Sequence, residues 1–517
     1  MSMRDFVNEG LRLVHARDLG AALARFEKAA EIEPDSHIPP FMLGNAFSQM
    51  GDLDTAANHY RRARGLRSGE AVIRFNFGLN ELTRGYIETA IAELREACRL
   101  NPQHTAAQST YLLALLNSDR HGADDMAAAA RDWGTRFAAQ PPEAGTLPQS
   151  PGAGPPRRLR VGFVSGDFRT HSVARFFEPI ASGHDRDAFD YFFYYNFPDH
   201  DEVTERLRGY AHQWRDVWRL GDDALVERIR SDRIDILLDL AGHTAFNRLM
   251  VFARRAAPVQ ITYLGFPGST GLPAMDYRIT DASTDPVPPA DAWHNEKLLH
   301  LQRPQWCYRP FAARPAAGVL PARSSGFVTF GSFNSLSKIS ATIIECWGKI
   351  LAALPQSRLR LTRIRSPQRA ADIISILEQS GIEAARIDCL PYKIEVPVES
   401  PFIGVDIALD SYPYNGVTTT CESLFSGVPV ISLYGAHGAS RSGLSILGTM
   451  GLRDLVASTP AQYVQIAVGL ALDLPRLEQL RASLQAKFER SALRDENSFA
   501  PAFEAQLRTA WRAAERS

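Results

Sequence analysis

Three consecutive threonines mark the segment of this sequence with the clearest potential for chemistry. Thr418, Thr419 and Thr420 follow an apolar strand that ends at Asp410, and they open a predicted helix. Hydroxyl groups at a helix N-terminus lie beside backbone N–H groups, in the positive end of the helix dipole. Such a group can bind a phosphate or pyrophosphate, although ordinary N-capping by threonine is the alternative. Glu422, one turn into the helix, could accept hydrogen bonds from a ribose.

A lysine marks a second candidate, in the segment GSFNSLSKIS (331–340). Lys338 lies between a predicted strand and a predicted helix, and Asn334 and Ser335 lie beside it. We expect it to face the same cleft edge as the threonine helix, where an ammonium group can neutralise a diphosphate leaving group. The alternative is a solvated surface lysine.

Two histidines follow predicted strands in an earlier part of the chain. His171 belongs to DFRTHSV and His243 to AGHTAFNRL, while residues 265–281 form a glycine-rich turn with accessible backbone N–H groups. A single histidine of this kind is often structural. Two of them on loops at the carboxyl ends of strands indicate a candidate pocket.

The elements that must position these residues alternate between apolar strands and helices, which indicates parallel sheets covered on both faces. The strand candidates of a first series are 159–168, 189–197, 234–242 and 258–266, before a loop-rich connection at about 283–325. Those of a second series are 326–333, 358–364, 386–390, 405–410 and 428–433. Two such lobes leave a cleft at the carboxyl ends of their strands. The last helix, 499–516, could pack back across the first lobe.

The opening residues repeat with a period of 34. Glycine recurs at positions 10, 44 and 78, alanine at 22, 56 and 90, and Phe26, Tyr60 and Leu94 share one phase. This is the pattern of tetratricopeptide (TPR) repeats, in which small residues allow paired helices to pack closely and the larger residue fills the gap between units. Residues 103–137 are interpreted as a degenerate fourth unit or capping helices. The concave face of such an array is expected to hold a protein or peptide.

Composition excludes several classes of function. Lysine plus arginine (57) nearly balance aspartate plus glutamate (58), so a dominant role in binding nucleic acid or a membrane surface is not expected. The five cysteines are scattered without a CxxC pair, which predicts neither a disulfide framework nor a zinc site. The opening residues contain no apolar signal core, and a cytoplasmic protein is expected.

The predicted organisation is α plus α/β. It comprises TPR repeats and capping helices (1–137), a Pro- and Gly-rich linker (138–158), an N-terminal α/β lobe (159–325) and a C-terminal α/β lobe with a final helix (326–517). The linker predicts that the repeats are separate from the catalytic region.

Region 158–510 resembles the catalytic region of the O-linked N-acetylglucosamine transferase and SPINDLY family of protein glycosyltransferases. The segments that carry the resemblance are RVGFVSGDFRTHSV, DLAGHTAFNRL, PVQITYLGFPGSTGLPAMDYRITD, GFVTFGSFNSLSKIS and YPYNGVTTTCESLFSGVP. The resemblance implies a TPR α-superhelix followed by a GT-B type pair of Rossmann-like lobes. It implies that residues 159–325 form the N-terminal catalytic lobe and that residues 326–517 form the C-terminal nucleotide-sugar-binding lobe. It also implies transfer of a sugar from a nucleoside diphosphate to Ser or Thr of proteins, with no metal or other cofactor.

The resemblance assigns roles to individual residues. Lys338 matches the lysine that contacts the donor diphosphate, and Thr418 and Thr419 match the phosphate-binding hydroxyls. Glu422 stands where an acidic residue holds the ribose, and His171 matches a histidine near the sugar that is a candidate proton acceptor. The remaining donor-site and pocket candidates are Leu264, Gly265, Pro267, Asn334, Ser335, Lys393, Asn415, Thr420 and His243.

Two departures from the animal enzymes concern the base of the donor. This chain has Val417 where those enzymes have a nucleotide-contacting histidine, and residues 390–402 offer Lys393 but lack an expected histidine and arginine. The sequence of the motifs is closer to that of SPINDLY, whose plant members transfer fucose from a GDP donor. UDP-GlcNAc is the favoured donor, GDP-fucose is the alternative, and a catalytically silent TPR adaptor is a third hypothesis.

Overall fold

The structure is a computed structural model that describes residues 1–138, 157–312, 318–392 and 402–516. The chain packs into two compact units. The first contains residues 1–119 and 325–405, and the second contains residues 120–324 and 406–517. The predicted domain boundaries stay predictions, and nearly all of the predicted linker lies outside the described residues.

The first unit begins with helices that pack as consecutive pairs. They are α1 (Met3–His15), α2 (Leu19–Ile32), α3 (Ile38–Met50), α4 (Leu53–Leu66), α5 (Ala71–Arg84), α6 (Ile87–Leu100) and α7 (Thr105–Leu115).

The repeat period has a direct physical cause in these helix pairs. A Cβ atom on Gly44 would lie 2.7 Å from the ring of Tyr60, and one on Gly78 would lie 2.7 Å from Leu94. Only glycine allows the first helix of each pair to approach the large residue of the second helix this closely. Tyr60 also lies 6.5 Å from Phe77 of the next pair, measured between ring centroids, so it joins neighbouring units as predicted.

The next helix, α8 (Ala123–Phe137), belongs to the second unit. Gly134 in this helix meets the glycine-rich turn, where a Cβ atom would lie 1.7 Å from the carbonyl oxygen of Gly271. Gly271 itself has a positive φ of 75°, and a Cβ atom there would lie 1.8 Å from the carbonyl oxygen of Ala130. The helix interpreted as part of the repeat region therefore packs on a loop of the first sheet.

The first sheet has seven parallel strands in the order β3-β2-β1-β4-β5-β6-β7. Val161 on the interior strand β1 pairs with Tyr191 on one side and with Ile236 on the other. The strands are β1 (Leu159–Ser165), β2 (Phe189–Tyr195), β3 (Gln213–Asp216), β4 (Ile236–Asp239), β5 (Val259–Thr262), β6 (Tyr277–Asp281) and β7 (Lys297–Leu301).

Short helices connect the strands of this sheet. They are α9 (Ser172–Gly183), α10 (Glu202–Arg208), α11 (Asp222–Ser231) and α12 (Leu249–Ala253), and α13 (Pro321–Ser325) follows the sheet. The four strands predicted for this lobe are confirmed. Strands β3, β6 and β7 were not predicted, because they are short or lie in segments interpreted as turns and loops.

The remainder of the first unit is α/β. Parallel strands in the order β10-β9-β8 carry two long helices at the carboxyl ends of β8 and β9. The elements are β8 (Thr329–Ser332), α14 (Ala341–Ala353), β9 (Arg358–Ile364), α15 (Pro367–Gln379) and β10 (Ile387–Pro391).

The rest of the second unit contains the parallel strands β11, β12 and β13 and the last helices of the described chain. The elements are β11 (Ile407–Leu409), α16 (Thr418–Phe425), β12 (Val430–Leu433), α17 (Ser442–Thr449), β13 (Val456–Ala457), α18 (Pro460–Leu472), α19 (Leu474–Glu489) and α20 (Glu496–Ala514). As expected, α20 packs on the first sheet, since Phe499, Phe503 and Leu507 are buried in the core around β1.

Candidate active site

His171 lies where the first strand of the second unit gives way to a helix. It is the N-cap residue of α9, and its Nδ1 accepts a hydrogen bond of 3.3 Å from the backbone N–H of Val173. The buried carboxylate of Asp167 lies 3.5 Å from the same Nδ1. The His171 side chain is 38% exposed, whereas that of Asp167 is 7% exposed. The imidazole is thus anchored on one edge and reachable from solvent.

The surroundings of His171 favour the neutral imidazole. Burial lowers the pKa of His171, and the nearby Asp167 carboxylate opposes that shift only in part. Burial also raises the pKa of Asp167. At neutral pH the imidazole is therefore uncharged, which is the state in which a histidine can accept a proton from a hydroxyl group.

The threonine helix α16 follows a loop that one buried carboxylate holds in place. Asp410 accepts hydrogen bonds of 2.9 Å from the Ser411 N–H, 2.8 Å from the Gly416 N–H and 2.7 Å from the Ser432 hydroxyl. The N-cap residue of the helix is Val417, whose side chain makes no capping hydrogen bond. Ordinary N-capping by threonine is therefore not the role of this motif.

The threonines of α16 differ in their surroundings. Thr418 and Thr419 are half-buried in the first turn, where backbone N–H groups have no intrahelical acceptor. Thr420 is buried, and its hydroxyl donates a 3.0 Å hydrogen bond to the carbonyl oxygen of Gly416. The helix N-terminus with Thr418 and Thr419 has the chemistry of an anion site, whereas Thr420 stabilises the preceding loop.

Asn415 has a structural place in the same loop. Its side chain is fully buried, and its amide donates hydrogen bonds of 2.8 Å to the Ser411 carbonyl oxygen and 3.0 Å to the Leu433 carbonyl oxygen. Its side-chain oxygen accepts a hydrogen bond from the Gly443 N–H. These contacts show a residue that shapes the loop, and donor binding by Asn415 stays a prediction.

An ion pair joins the histidine helix to the threonine helix. Arg175, one turn after His171 in α9, lies 3.3 Å from the carboxylate of Glu422 in α16. Both side chains are mostly buried, at 13% and 16% exposure. The Arg175 guanidinium also donates to the Tyr308 hydroxyl and lies 4.1 Å above the Phe311 ring. Arg175 was not among the predicted site residues, although its i+4 spacing from His171 was a usable signal.

The turn predicted to line the sugar pocket is rigid. Leu264 has a positive φ of 77°, and a Cβ atom on Gly265 would lie 2.1 Å from the carbonyl oxygen of Leu240. The buried Arg278 donates to the carbonyl oxygens of Phe266 and Gly268 on either side of Pro267, at 3.0 and 3.1 Å. The backbone of residues 264–268 is therefore held in one conformation, as a lining turn requires.

His243 has a packing role in the structure. It is 1% exposed, its Nε2 lies 3.0 Å from the carbonyl oxygen of Thr270, and its ring packs edge-on to Trp133 and Phe266. Burial lowers the pKa of His243 to about 4. These contacts show a buried neutral histidine that holds a turn, and a role of His243 in the pocket stays a prediction.

Lys338 lies in the first unit, in a 3-10 turn that connects β8 to α14. The turn spans Leu336–Lys338, and the Lys338 N–H donates a 2.9 Å hydrogen bond to the Ser335 carbonyl oxygen. Asn334 is buried, whereas Ser335 and Lys338 are half-buried. The predicted placement of Lys338 between a strand and a helix is therefore confirmed. Lys393 lies outside the described residues.

The described residues contain no group of three or more metal-binding side chains with the geometry to hold a metal ion. Residues 199–201 (DHD) place two carboxylates close together in the sequence, and Asp201 of this segment caps α10 by accepting a hydrogen bond from the Thr204 N–H. No helix among the described residues has the length and apolar character needed to span a membrane. The absence of metal from the reaction stays a prediction.

Comparison with known proteins identifies the family. The family model described as Glycosyl transferase family 41 matches residues 150–307 and 319–503, which is well over half of the chain. The chain belongs to glycosyl transferase family 41. The predicted resemblance is thereby confirmed, and the chain is assigned to the glycosyltransferase class of enzymes.

Two curated plant proteins illustrate the relationship within family 41. The Solanum lycopersicum protein named "Probable UDP-N-acetylglucosamine--peptide N-acetylglucosaminyltransferase SPINDLY" is 40% identical over 425 residues, covering 80% of this chain and 45% of that protein. The Arabidopsis thaliana protein with the same activity in its name, SEC, is 31% identical over 346 residues, covering 64% and 35%. The chain spans less than half the length of these relatives.

A solved structure matches nearly the whole family 41 chain. A mutant of the Thermobaculum terrenum O-GlcNAc transferase superposes with a TM-score of 0.89 and 35% identity, covering 99% of this chain and 98% of that one. This match confirms the predicted fold, an N-terminal TPR α-superhelix followed by a GT-B type pair of Rossmann-like lobes.

Proposed function

We propose that this family 41 chain transfers a sugar from a nucleoside diphosphate donor to a Ser or Thr hydroxyl of a protein or peptide. The observation that carries the proposal is the Arg175–Glu422 ion pair, which joins the His171 helix to the threonine helix within one unit. A neutral proton acceptor and a helix N-terminus suited to phosphate thus belong to one compact body. Sugar transfer requires both functions.

The departing diphosphate requires stabilisation of negative charge. In the reaction, the bond between the anomeric carbon and the diphosphate oxygen breaks while the acceptor oxygen bonds to that carbon. We assign the charge that develops on the diphosphate to the first-turn N–H groups of α16, to the hydroxyls of Thr418 and Thr419 and to the Lys338 ammonium group. The role of Lys338 rests on the family resemblance. With these groups in place the proposed reaction needs no metal.

The acceptor hydroxyl must lose its proton. His171 is the proposed acceptor, and it receives the proton through Nε2 only in the tautomer that carries hydrogen on Nδ1. The Asp167 carboxylate, 3.5 Å from Nδ1, stabilises that tautomer, whereas the Val173 N–H favours the other. Asp167 therefore opposes the preference that the Val173 N–H gives for the tautomer that cannot accept a proton through Nε2.

The favoured donor is UDP-GlcNAc. The relatives described above carry UDP-N-acetylglucosamine in their names, and the solved neighbour is titled an O-GlcNAc transferase. The alternative, GDP-fucose, is motivated by Val417, which precedes the threonine helix and stands where the animal enzymes have a nucleotide-contacting histidine. The base and sugar are proposed to be read by Val417, Lys393 and the Leu264–Gly268 turn, while Glu422, oriented by Arg175, binds the ribose.

The acceptor is proposed to be a protein or peptide that the TPR array holds. Each repeat contributes helices to the array but no residue of the proposed chemistry. An array of this type offers an extended concave surface for a partner chain.

A calorimetric comparison of UDP with GDP on the purified chain tests the proposal. We expect binding of UDP and, in a second assay, transfer of GlcNAc from UDP-GlcNAc to a Ser- or Thr-containing protein. Binding of GDP without UDP would select the fucose alternative on the same scaffold. Binding of neither nucleotide would contradict the proposed function and return the chain to the adaptor hypothesis.

A further inference from the structure

The helical repeats contact the two loops that follow strands β8 and β9 of the same unit. These loops lie at the carboxyl ends of parallel strands, the edge at which ligands of α/β sheets bind. One of them carries Lys338. The repeats and the lysine loop therefore belong to one packed body.

One of these contacts is made by Gly85, the residue that ends the first helix of the third repeat. Gly85 has a φ of 95°, and its N–H donates to the carbonyl oxygens of Glu81 and Leu82. A Cβ atom at this position would lie 2.8 Å from the carbonyl oxygen of Leu336 and 3.0 Å from its carbonyl carbon and its Cβ. Since Leu336 is the first residue of the Lys338 turn and is 1% exposed, the backbone of that turn rests directly on Gly85.

Aspartates of the repeat region accept hydrogen bonds at the starts of α14 and α15, the helices that follow the two loops. Asp119 accepts hydrogen bonds of 3.0 Å from the N–H and 2.8 Å from the hydroxyl of Thr342, in the first turn of α14. Asp54 accepts hydrogen bonds of 3.0 Å from the Gln368 N–H and 2.5 Å from the Ser366 hydroxyl, at the start of α15. A carboxylate at a helix N-terminus stabilises the helix dipole, so these contacts fix both helix starts.

Tyr86 extends the support next to Gly85. Its hydroxyl donates to the carboxylate of Asp372 in α15, and its ring lies 5.2 Å from the guanidinium of Arg369. The corner between the two helices of the third repeat is thus held on both sides, against the lysine turn and against α15.

We propose that the third repeat sets the position of the lysine loop, with Gly85 as a positioning residue for Lys338. The proposal rests on the proposed function, since it assumes that Lys338 binds the diphosphate. It means that the TPR array is required for donor binding as well as for holding the acceptor. A displacement of about 1 Å at a catalytic group can reduce the rate about a hundredfold.

The chain contains a matched control for this idea. Gly51 ends the first helix of the second repeat, 34 residues before Gly85, and has a φ of 84°. A Cβ atom on Gly51 would meet no other atom within 4 Å. Gly51→Ala therefore introduces the same backbone strain as Gly85→Ala without the collision with Leu336.

The experiment measures the affinity of UDP, GDP and inorganic pyrophosphate for the full chain and for both alanine variants, with thermal unfolding in parallel. We expect Gly85→Ala to weaken binding of the nucleotide that the wild type prefers, and of pyrophosphate, by about tenfold, and Gly51→Ala by less than about twofold. Hydrogen exchange should rise in residues 333–342 in Gly85→Ala alone.

Gly85→Ala in a Lys338→Ala background separates an effect on the position of Lys338 from a loss of binding that does not depend on the lysine. If Gly85 acts through the lysine, Gly85→Ala should cause little further loss of pyrophosphate binding once the ammonium group is gone. Equal and independent losses in the two backgrounds, or wild-type affinity in Gly85→Ala, would overturn the proposal. A wild type that binds no nucleoside diphosphate would instead contradict the proposed function.

A second variant keeps the test decisive if Gly85→Ala fails to fold. Asp119→Ala removes the acceptor at the start of α14, whereas Asp119→Asn keeps a side-chain oxygen that can accept from Thr342. We expect weaker pyrophosphate binding in Asp119→Ala and recovery of most of it in Asp119→Asn. Wild-type pyrophosphate affinity in Asp119→Ala would contradict the support of the lysine loop by the repeats.

Discussion

Replacing Asp167 by asparagine should shift the pH dependence of sugar transfer as well as its rate. Transfer requires neutral His171, so wild-type activity should fall as the pH drops through the pKa of that histidine. The Asp167 carboxylate raises the pKa of His171 against the larger, opposing effect of burial. Removal of its charge therefore lowers that pKa further, and the acidic limb of the pH–rate profile should move to lower pH.

The size of the shift follows from the geometry. The carboxylate oxygen lies 3.5 Å from Nδ1, and two unit charges at that separation interact by about 1.2 kcal/mol in water. The value for water is the minimum, because the His171 side chain is 38% exposed whereas that of Asp167 is only 7% exposed. The corresponding displacement is about 0.9 pH units. The plateau rate should fall as well, but complete loss of a general base would lower it by about a hundredfold, and the decrease in Asp167→Asn should be smaller.

The assay measures kcat/KM for transfer of the sugar to a Ser-containing peptide, between pH 4.5 and 8, for the wild type and for Asp167→Asn. Asp187→Asn, an exposed residue in the turn before β2, provides the same change in net charge. The control profile should match the wild type. An acidic limb that stays in place in Asp167→Asn, or moves to higher pH, would refute the role of His171 as the base.

Three further outcomes are expected from the assigned roles. Lys338→Ala should reduce kcat about a hundredfold or more because an electrostatic donor to developing charge is lost, whereas exposed Lys349→Ala on α14 should retain wild-type kcat. Arg175→Met should weaken nucleotide binding by about tenfold. When it is combined with Glu422→Gln, the total loss should be much smaller than the sum of the two single losses; additive losses would contradict the coupling between the two helices. Treatment with EDTA should leave the transfer rate unchanged, and dependence on magnesium or manganese would contradict the assignment of the diphosphate to the lysine and the helix.

Local patterns in the sequence predicted the fold well. The period of 34 reports the contacts of Gly44 with Tyr60 and of Gly78 with Leu94, which recur because each helix pair packs in the same way. Apolar strands such as β1 were equally clear because both of their faces are buried. Strand β7 was missed because only one of its five residues is buried, so its sequence lacks an apolar run.

The candidate site was predictable in part. The placement of the threonines at the start of α16 follows from local sequence, as does that of Lys338 in a turn between strand and helix. The structural roles of His243 and Asn415 were not predictable, because a polar residue at a strand end has the same sequence signal whether it faces a pocket or a neighbouring turn. Contacts such as Asp54 with Ser366 join residues far apart in the chain, and no local pattern encodes them.

The place of α20 in the core has a consequence for the order in which the protein can be made. Strand β7 ends at Leu301, whereas the side chains that complete the core beside β1 come from Phe499, Phe503 and Leu507. During synthesis from the amino end, the first sheet emerges long before the helix that covers it. Its apolar surface then stays uncovered until these residues have been made, a situation that slows folding and favours aggregation. A chain released before Phe499 is added would therefore have an open core beside β1 and would need chaperones.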